Sequence, residues 1–266
     1  MEKGPGPFIR SFMSTQFSTI KESEARHLTG LIGSPISHSL SPMIHRQAFA
    51  QFAMDTYDYV LIEAGIDSLG EAVDAIKEDG RFVGFNITMP GKLKILDYCD
   101  VLSDSVQKIG CANTVKIEDG KLIAYNTDGD GFMKALRDLN VETDQKEMVI
   151  FGTGGAARAI KESAERNGCH VTLLHRPSDE ETREGVRMAD ILVNATPLGM
   201  GGQGCIVEDL SDAKESLFVA DCVYGDFTTD LIRMAQDKGL RNMNGLGMLY
   251  NQAFLSFGIW HGLFPG

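Results

Sequence analysis

Four polar clusters in this chain carry side chains able to recognise and convert a small oxygenated ligand. Ser37, His38, Ser39 and Ser41 share one short loop, and the hydroxyls at 39 and 41 suit a polyol or a carboxylate. Ser41 beside Pro42 is equally suited to capping a helix that starts there. Asn86, Thr88 and Lys92 follow in the run NITMPGK. A lysine so close behind a strand end is a candidate general acid/base, although solvation at the surface is the ordinary state of an isolated lysine. Asn113 in CANTV is the third cluster, and Asn126, Thr127 and Asp128 form the fourth. Asp128 has a plain alternative as the N-cap of a helix opening with Gly-Asp-Gly-Phe. A lysine and a carboxylate in one cleft form a charge-coupled pair able to shuttle a proton. Spacing alone leaves open whether Lys92 and Asp128 meet.

A different chemistry is written in VIFGTGGAAR, Val149 to Arg158. An apolar run enters glycines at 152, 154 and 155, and an alanine-rich helical pattern follows. In a strand–turn–helix context Gly152 makes the tight turn and Gly154 admits a pyrophosphate close to the backbone. The helix N-terminus then faces the anion with free N–H groups and the positive end of its dipole. An ordinary tight turn is the competing account of such a motif taken alone. The strand Val171 to Leu174 ends in His175 and Arg176, where a site for NAD usually carries an acid for the ribose 2′-hydroxyl. Arginine there suits a 2′-phosphate and favours NADP, while Asp179, Glu180 and Glu181 pull the other way unless they form a helix's first turn. NATPLGM, 194–200, is a further strand end with small residues beside which a cofactor can lie.

The elements that must position these groups follow from periodicity. Strands are expected at 28–33, 58–64 and 82–87, with helices from Pro42 to about Phe52, from Ile66 to Asp79 before Gly80, and from Lys92 to Cys99. Alternating runs at 113–117 and 122–125 predict a hairpin through Asp119–Gly120. A helix at 131–139, the strand at 148–151, strands at 170–175, 190–195 and 217–222, and helices at 179–188 and 228–238 complete the alternation. The last helix runs from Leu246 to Trp260. Alternating strands and helices predict an α/β protein with mainly parallel sheets. The polar linker before residue 147 divides it into two α/β units with a cleft between them.

Composition narrows the partners. The 266 residues hold 25 basic and 37 acidic side chains, a net charge of −12 that disfavours nucleic acid or an anionic membrane surface. No run approaches the roughly 20 apolar residues of a membrane span. The 5 cysteines are scattered, as expected of a reduced cytoplasmic interior, and the 6 histidines show no metal-ligand spacing. Residues 1–25 read as a flexible extension without a function of its own, with Met13 as a second candidate start. The sequence fits a monomer or a homodimer.

Taken in order, GSPISHSLSPMIH, GFNITMPGK, GCANTV, YNTDGDGF, FGTGGAARA, NATPLGM, DCVYGDFTTDL and NGLGMLYNQA resemble the shikimate dehydrogenase family, from about Leu28 to Gly262. The resemblance implies an NADP-linked oxidoreductase of the cytoplasm that interconverts 3-dehydroshikimate and shikimate in aromatic biosynthesis. It implies an N-terminal α/β substrate domain, 26–127 completed by 245–266, and a Rossmann-type cofactor domain, 128–244. Carried over motif by motif, Ser39 and Ser41 hold the substrate carboxylate, and Lys92 and Asp128 contact ring hydroxyls and serve proton transfer. Asn86, Thr88, Asn113 and Gln252 line the same pocket. Gly152, Gly154, Gly155, Ala156, His175 and Arg176 match cofactor positions, and Thr196, Met200 and Gly247 fall in segments bordering the nicotinamide. Two departures stand out. Residues 177–189 are too few for the strand and helices the family usually fits there, so the cofactor domain looks shortened, and Gly91 stands where relatives often carry a bulky residue. A quinate-active relative using NAD or NADP, or a substrate-binding protein with an impaired cofactor domain, are the alternatives.

Overall fold

The computed structural model describes residues 17–265, and the expectation for residues 1–16 lies outside them. The chain forms two compact units, one of residues up to 126 together with those from 253 onward, the other of 127–252.

The first unit contains α1 (Ser18–Glu22), β1 (His27–Gly33), α2 (Ser41–Gln51), β2 (Tyr57–Glu63), α3 (Leu69–Asp79) and β3 (Gly84–Ile87). These are followed by β4 (Val101–Leu102), α4 (Asp104–Ile109), β5 (Thr114–Glu118) and β6 (Lys121–Tyr125). The strands form one sheet in the order β2-β1-β3-β5-β6-β4. β1 runs parallel to β2 and β3, and β5 runs antiparallel to β3 and β6. β1 is buried at every residue but His27, because apolar groups cover both faces of this central strand. Leu28, Ile32 and Phe85 pack with Val73 and Ile76 of α3 on one side. Tyr59, Phe49, Phe257 and Trp260 form a second cluster, supplied in part by the last helix, α9 (Leu246–His261). A Cβ at Gly84 would fall 2.2 Å from the indole nitrogen of Trp260, which donates to the Val115 carbonyl at 2.9 Å. Only glycine lets that indole lie against the strand.

The expected hairpin is present, with Asp119 and Gly120 both at positive φ, as a two-residue turn of this kind requires. Residues 17–25 depart from the loose extension expected of them. Phe17 and Ile20 are buried in the core, and Arg81 donates to the carbonyls of Ile20, Ser23 and Ala25 at 2.7, 2.7 and 3.1 Å. The helix expected at 92–99 is a 3₁₀ turn, Lys94–Tyr98, closed by i→i+3 bonds such as Cys99 N–H to Leu96. Lys92 therefore precedes it.

In the second unit, α5 (Asp128–Asp138) leads to β7 (Glu147–Phe151), α6 (Gly155–Arg166), β8 (His170–Leu174), α7 (Asp179–Met188) and β9 (Ile191–Asn194). Then come β10 (Phe218–Asp221), α8 (Asp230–Asp237) and β11 (Arg241–Met243). The sheet is wholly parallel, in the order β11-β10-β9-β7-β8, with cores on both faces. Asp179, Glu180 and Glu181 are the first turn of α7, which Ser178 and Glu181 open with a capping box. α7 connects β8 directly to β9, and β8 is an edge strand, as is β11 at the other side of the sheet. The last helix is divided rather than wholly assigned to the first unit. Gly247 packs on Ala135, Met248 enters the second core, and Asn251 donates to Asp138 at 3.1 Å.

Candidate active site

Backbone pairing in the first unit gathers the polar clusters at one end of its sheet. β1 and β3 end side by side, with Ile32 paired to Ile87. Antiparallel β5 begins there, Thr114 lying opposite Asn86 and opposite Tyr125 at the end of β6. The loops are tied by Ser34 N–H to Met89 (3.1 Å), Ile87 N–H to Asn113 (2.9 Å) and Ala112 N–H to Lys92 (2.9 Å). Ser39, Ser41, Thr88, Lys92, Asn113 and Asn126 thus come to the carboxyl ends of the parallel strands, where open α/β sheets bind ligands.

Local geometry decides against the capping alternative at two positions. The N-cap of α2 is Leu40, without a side-chain cap, and Ser41 is the buried first residue of the helix. Ser39 Oγ accepts from Ser41 N–H at 3.2 Å. The N-cap of α5 is Thr127, and Asp128 is a buried first-turn residue, where the helix dipole favours a carboxylate. Neither side chain is a simple cap, because each sits one position inside its helix.

Asn86 is tied into a buried network at this sheet end. It is 5% exposed, and its amide is engaged within the unit. Oδ1 accepts from the Tyr59 hydroxyl at 2.8 Å, and Nδ2 lies 3.1, 3.1 and 3.0 Å from Asn113 O, Thr114 Oγ1 and Ser256 Oγ. Tyr59, Thr114 and Ser256 are buried partners that the motifs did not single out. The exposed Glu63 also escaped the motifs: its carboxylate accepts from Ser34 Oγ at 2.7 Å and Ile36 N–H at 3.2 Å, clamping the loop that carries the serines. His45 is buried and stacks on Tyr59 with ring centroids 4.3 Å apart. Burial, with the charge of His261 second, lowers its pKa to about 3.

In the second unit β7 ends at a turn with Gly152 at φ +121, where a Cβ would lie 2.9 Å from Ala195 O. A side chain there is excluded by both strain and space. Gly154, the N-cap of α6, brings no side-chain cap, and nothing stands within 4 Å of where its Cβ would be. That open cradle at a helix N-terminus fits a pyrophosphate. Gly155 and Ala156 begin the helix. His175 Nδ1 lies 3.2 Å from Thr153 Oγ1, joining the glycine turn to the end of β8. Arg176 beside it is exposed, with φ +47. This set fits a phosphorylated dinucleotide.

The loops after β9 and β10 share a buried hub. Asp221 accepts from Asn194 Nδ2 (2.9 Å), Val223 N–H (3.0 Å) and Thr229 Oγ1 (2.6 Å). Burial holds its carboxyl above the ordinary value, against the lowering effect of these donors. Thr196 donates its hydroxyl to Asn194 Oδ1 at 2.7 Å and accepts from Leu198 N–H at 3.2 Å, so that hydroxyl shapes the turn. Met200 is 68% exposed beyond it. Gln252 Nε2 donates to Leu249 O at 2.8 Å along α9.

The family model for the shikimate dehydrogenase substrate binding domain matches residues 31–115. A shikimate dehydrogenase (NADP(+)) of Alkaliphilus metalliredigens is 35% identical over 270 residues, covering 91% of this chain and 94% of its own. The crystal structure of a Listeria monocytogenes shikimate 5-dehydrogenase with shikimate and NAD is similar at TM-score 0.81 and 32% identity, covering 90% of this chain and 92% of that one. A Thermus thermophilus shikimate 5-dehydrogenase in complex with NADP(H) and shikimate is similar at TM-score 0.80 and 30% identity, over 90% of this chain and 95% of its own.

Proposed function

The chain belongs to the shikimate dehydrogenase family, and from that membership we propose the work of its individual residues. It is an NADP-dependent oxidoreductase of the shikimate pathway that reversibly reduces 3-dehydroshikimate to shikimate. Its partner is a small-molecule substrate. No helix among the described residues is long and apolar enough to cross a membrane. We place the reaction in the cytoplasm, with a monomer or homodimer as the working unit.

Bound NADPH supplies the hydride for the ketone carbon. The oxygen that gains negative charge needs a proton, and Lys92 is assigned to deliver it and to recover it in the reverse direction. Asp128 is assigned to a ring hydroxyl as acceptor, its carboxylate held in the first turn of α5. Ser39 and Ser41 take the substrate carboxylate through hydroxyl donors, Thr88 and Gln252 complete the polar lining, and Asn113 binds a ring oxygen. Asn86 supports this lining from behind. Gly152, Gly154, Gly155 and Ala156 cradle the pyrophosphate, His175 and Arg176 the adenosine end, and Thr196, Met200 and Gly247 border the nicotinamide. The observation that carries the reading is the convergence of Ser39, Ser41, Thr88, Lys92 and Asn113 at one end of one sheet.

The test is NADPH oxidation with 3-dehydroshikimate, run beside NADH, beside the reverse reaction with quinate, and with Lys92→Ala. A fall in kcat of about 10²–10⁴-fold in the variant is expected, with shikimate still raising its Tm. Full activity in the variant sinks the role of Lys92. A preference for NADH or quinate sinks the cofactor or substrate assignment and leaves the fold intact.

A further inference from the structure

Counting hydrogens in the buried network of the first unit fixes the orientation of Asn86. The Asn113 carbonyl can only accept, so the Asn86 atom facing it at 3.1 Å is Nδ2. Asn86 Oδ1 then faces the Tyr59 hydroxyl at 2.8 Å. Burial raises the Tyr59 phenol well above its ordinary pKa, so it keeps its proton and donates it. Its ring is held in turn by the parallel His45 ring, 4° from coplanar.

The same Nδ2 lies 3.1 Å from Thr114 Oγ1, which is fully buried. A hydroxyl has one hydrogen and two lone pairs. Nδ2 shares its two hydrogens among Asn113 O, Thr114 Oγ1 and Ser256 Oγ, and Thr114 sends its own hydrogen to Asn113 Oδ1 at 2.9 Å. With that hydrogen spent, Ser256 Oγ, 2.7 Å from Thr114 Oγ1, is the donor in their contact. The chain of donors runs from Tyr59 and Ser256 toward Asn113. With its Oδ1 turned to Thr114, the Asn113 carboxamide has Nδ2 as its donor end.

We propose that Thr114 is a positioning residue for substrate recognition: its hydroxyl locks the Asn113 carboxamide so that it meets a ring oxygen of the substrate as a donor. A donor serves the substrate's hydroxyls and its ketone alike, since each of these oxygens carries lone pairs. The inference rests on the assignment of Asn113 to the substrate made above.

The experiment measures KM for shikimate and for NADP, kcat and Tm in Thr114→Val, Thr114→Ser, Asn113→Ala and Asn113→Asp. Thr114→Val keeps the shape and removes the hydroxyl. It is expected to raise the shikimate KM about tenfold, with the NADP KM changed by less than about twofold, and Thr114→Ser is expected to restore the wild-type value. A shikimate KM that stays put, or two KM values that rise together as Tm falls, makes Thr114 merely structural and overturns the proposal. Should Thr114→Val not fold, Asn113→Asp decides, because it replaces the donor end by oxygen while keeping the acceptor for Thr114. It is expected to weaken shikimate at least as much as Asn113→Ala, and an undisturbed KM overturns the proposal. If Asn113→Ala itself leaves the shikimate KM unchanged, the substrate assignment fails and the inference goes with it. Loss in Asn113→Ala without loss in Thr114→Val and Asn113→Asp sinks the inference alone.

Discussion

At the end of β3 Asn86 is held by neutral groups, the hydroxyls of Tyr59, Thr114 and Ser256, whereas at the end of β9 Asn194 is tied to the carboxylate of Asp221. The neutral network aligns side chains one after another and reaches Asn113. The charged hub gathers backbone, drawing in Val223 N–H and the cap residue Thr229. The difference matches what each unit presents. A polyhydroxylated ring is read by side-chain donors and acceptors whose orientation must be fixed. A pyrophosphate is read by main-chain amides, so fixing the loops suffices.

Single buried groups in the two units respond oppositely to acid. His45 has a folded pKa of about 3 and His261 one of about 4, each lowered from 6.5 chiefly by burial, with a neighbouring histidine second. Below pH 6.5 the unfolded chain binds more protons than the folded one, so their contribution is intact above that pH and is lost as pH falls toward 4 and 3. His45 alone accounts for on the order of 5 kcal/mol across the window from pH 6.5 to about 3. Asp221 has the reverse sign. Its folded pKa stands above 3.8, so acidification toward that value relieves a cost in the second unit. The chain's 1 tryptophan, Trp260, belongs to the first unit and reports on it. Its fluorescence should show unfolding between pH 6.5 and 4, and His45→Phe, which keeps a ring on Tyr59, should remove most of that transition. A pH-independent Trp260 signal breaks the comparison.

A mutation at the glycine turn sharpens it. Gly152→Val meets positive φ and the Ala195 carbonyl at 2.9 Å. Strain of about 1–3 kcal/mol should raise the NADP KM roughly 10–100-fold while the thermal shift given by shikimate is unchanged. Equal loss of both ligands would mean that the units do not divide recognition as argued. The smallest effect is expected at Arg176. Arg176→Gln should reduce the preference for NADP over NAD about tenfold and leave Tm alone. An unaltered NADP/NAD ratio would take the 2′-phosphate away from that residue.

Much of this architecture is legible in the sequence because local signals carry it. The Asp119–Gly120 hairpin, the Gly80 cap and the glycine turn after β7 each follow from a few neighbouring residues. Short elements escape such signals. β4 has two residues and β11 three, too few to show a period. Ser41 and Asp128 looked like caps because residue type does not say whether the helix begins at a serine or one position earlier. The hydrogen bonds that orient Asn113 are hidden for another reason. Ser256 is 170 positions from Asn86 and 142 from Thr114, and no spacing rule connects them.

Trp260 and Ser256 come from the far end of the chain, yet they close the core and the polar network of the first unit. During synthesis this unit must therefore wait. When its strands have left the ribosome, the amide of Asn86 and the face beneath Gly84 are still uncovered, and they stay so until the last helix emerges. The second unit, whose residues run without a break from 127 to 252, is complete first. A nascent chain stalled just short of its end would hold a finished cofactor fold beside a substrate fold open along one side, and chaperones would find their target there.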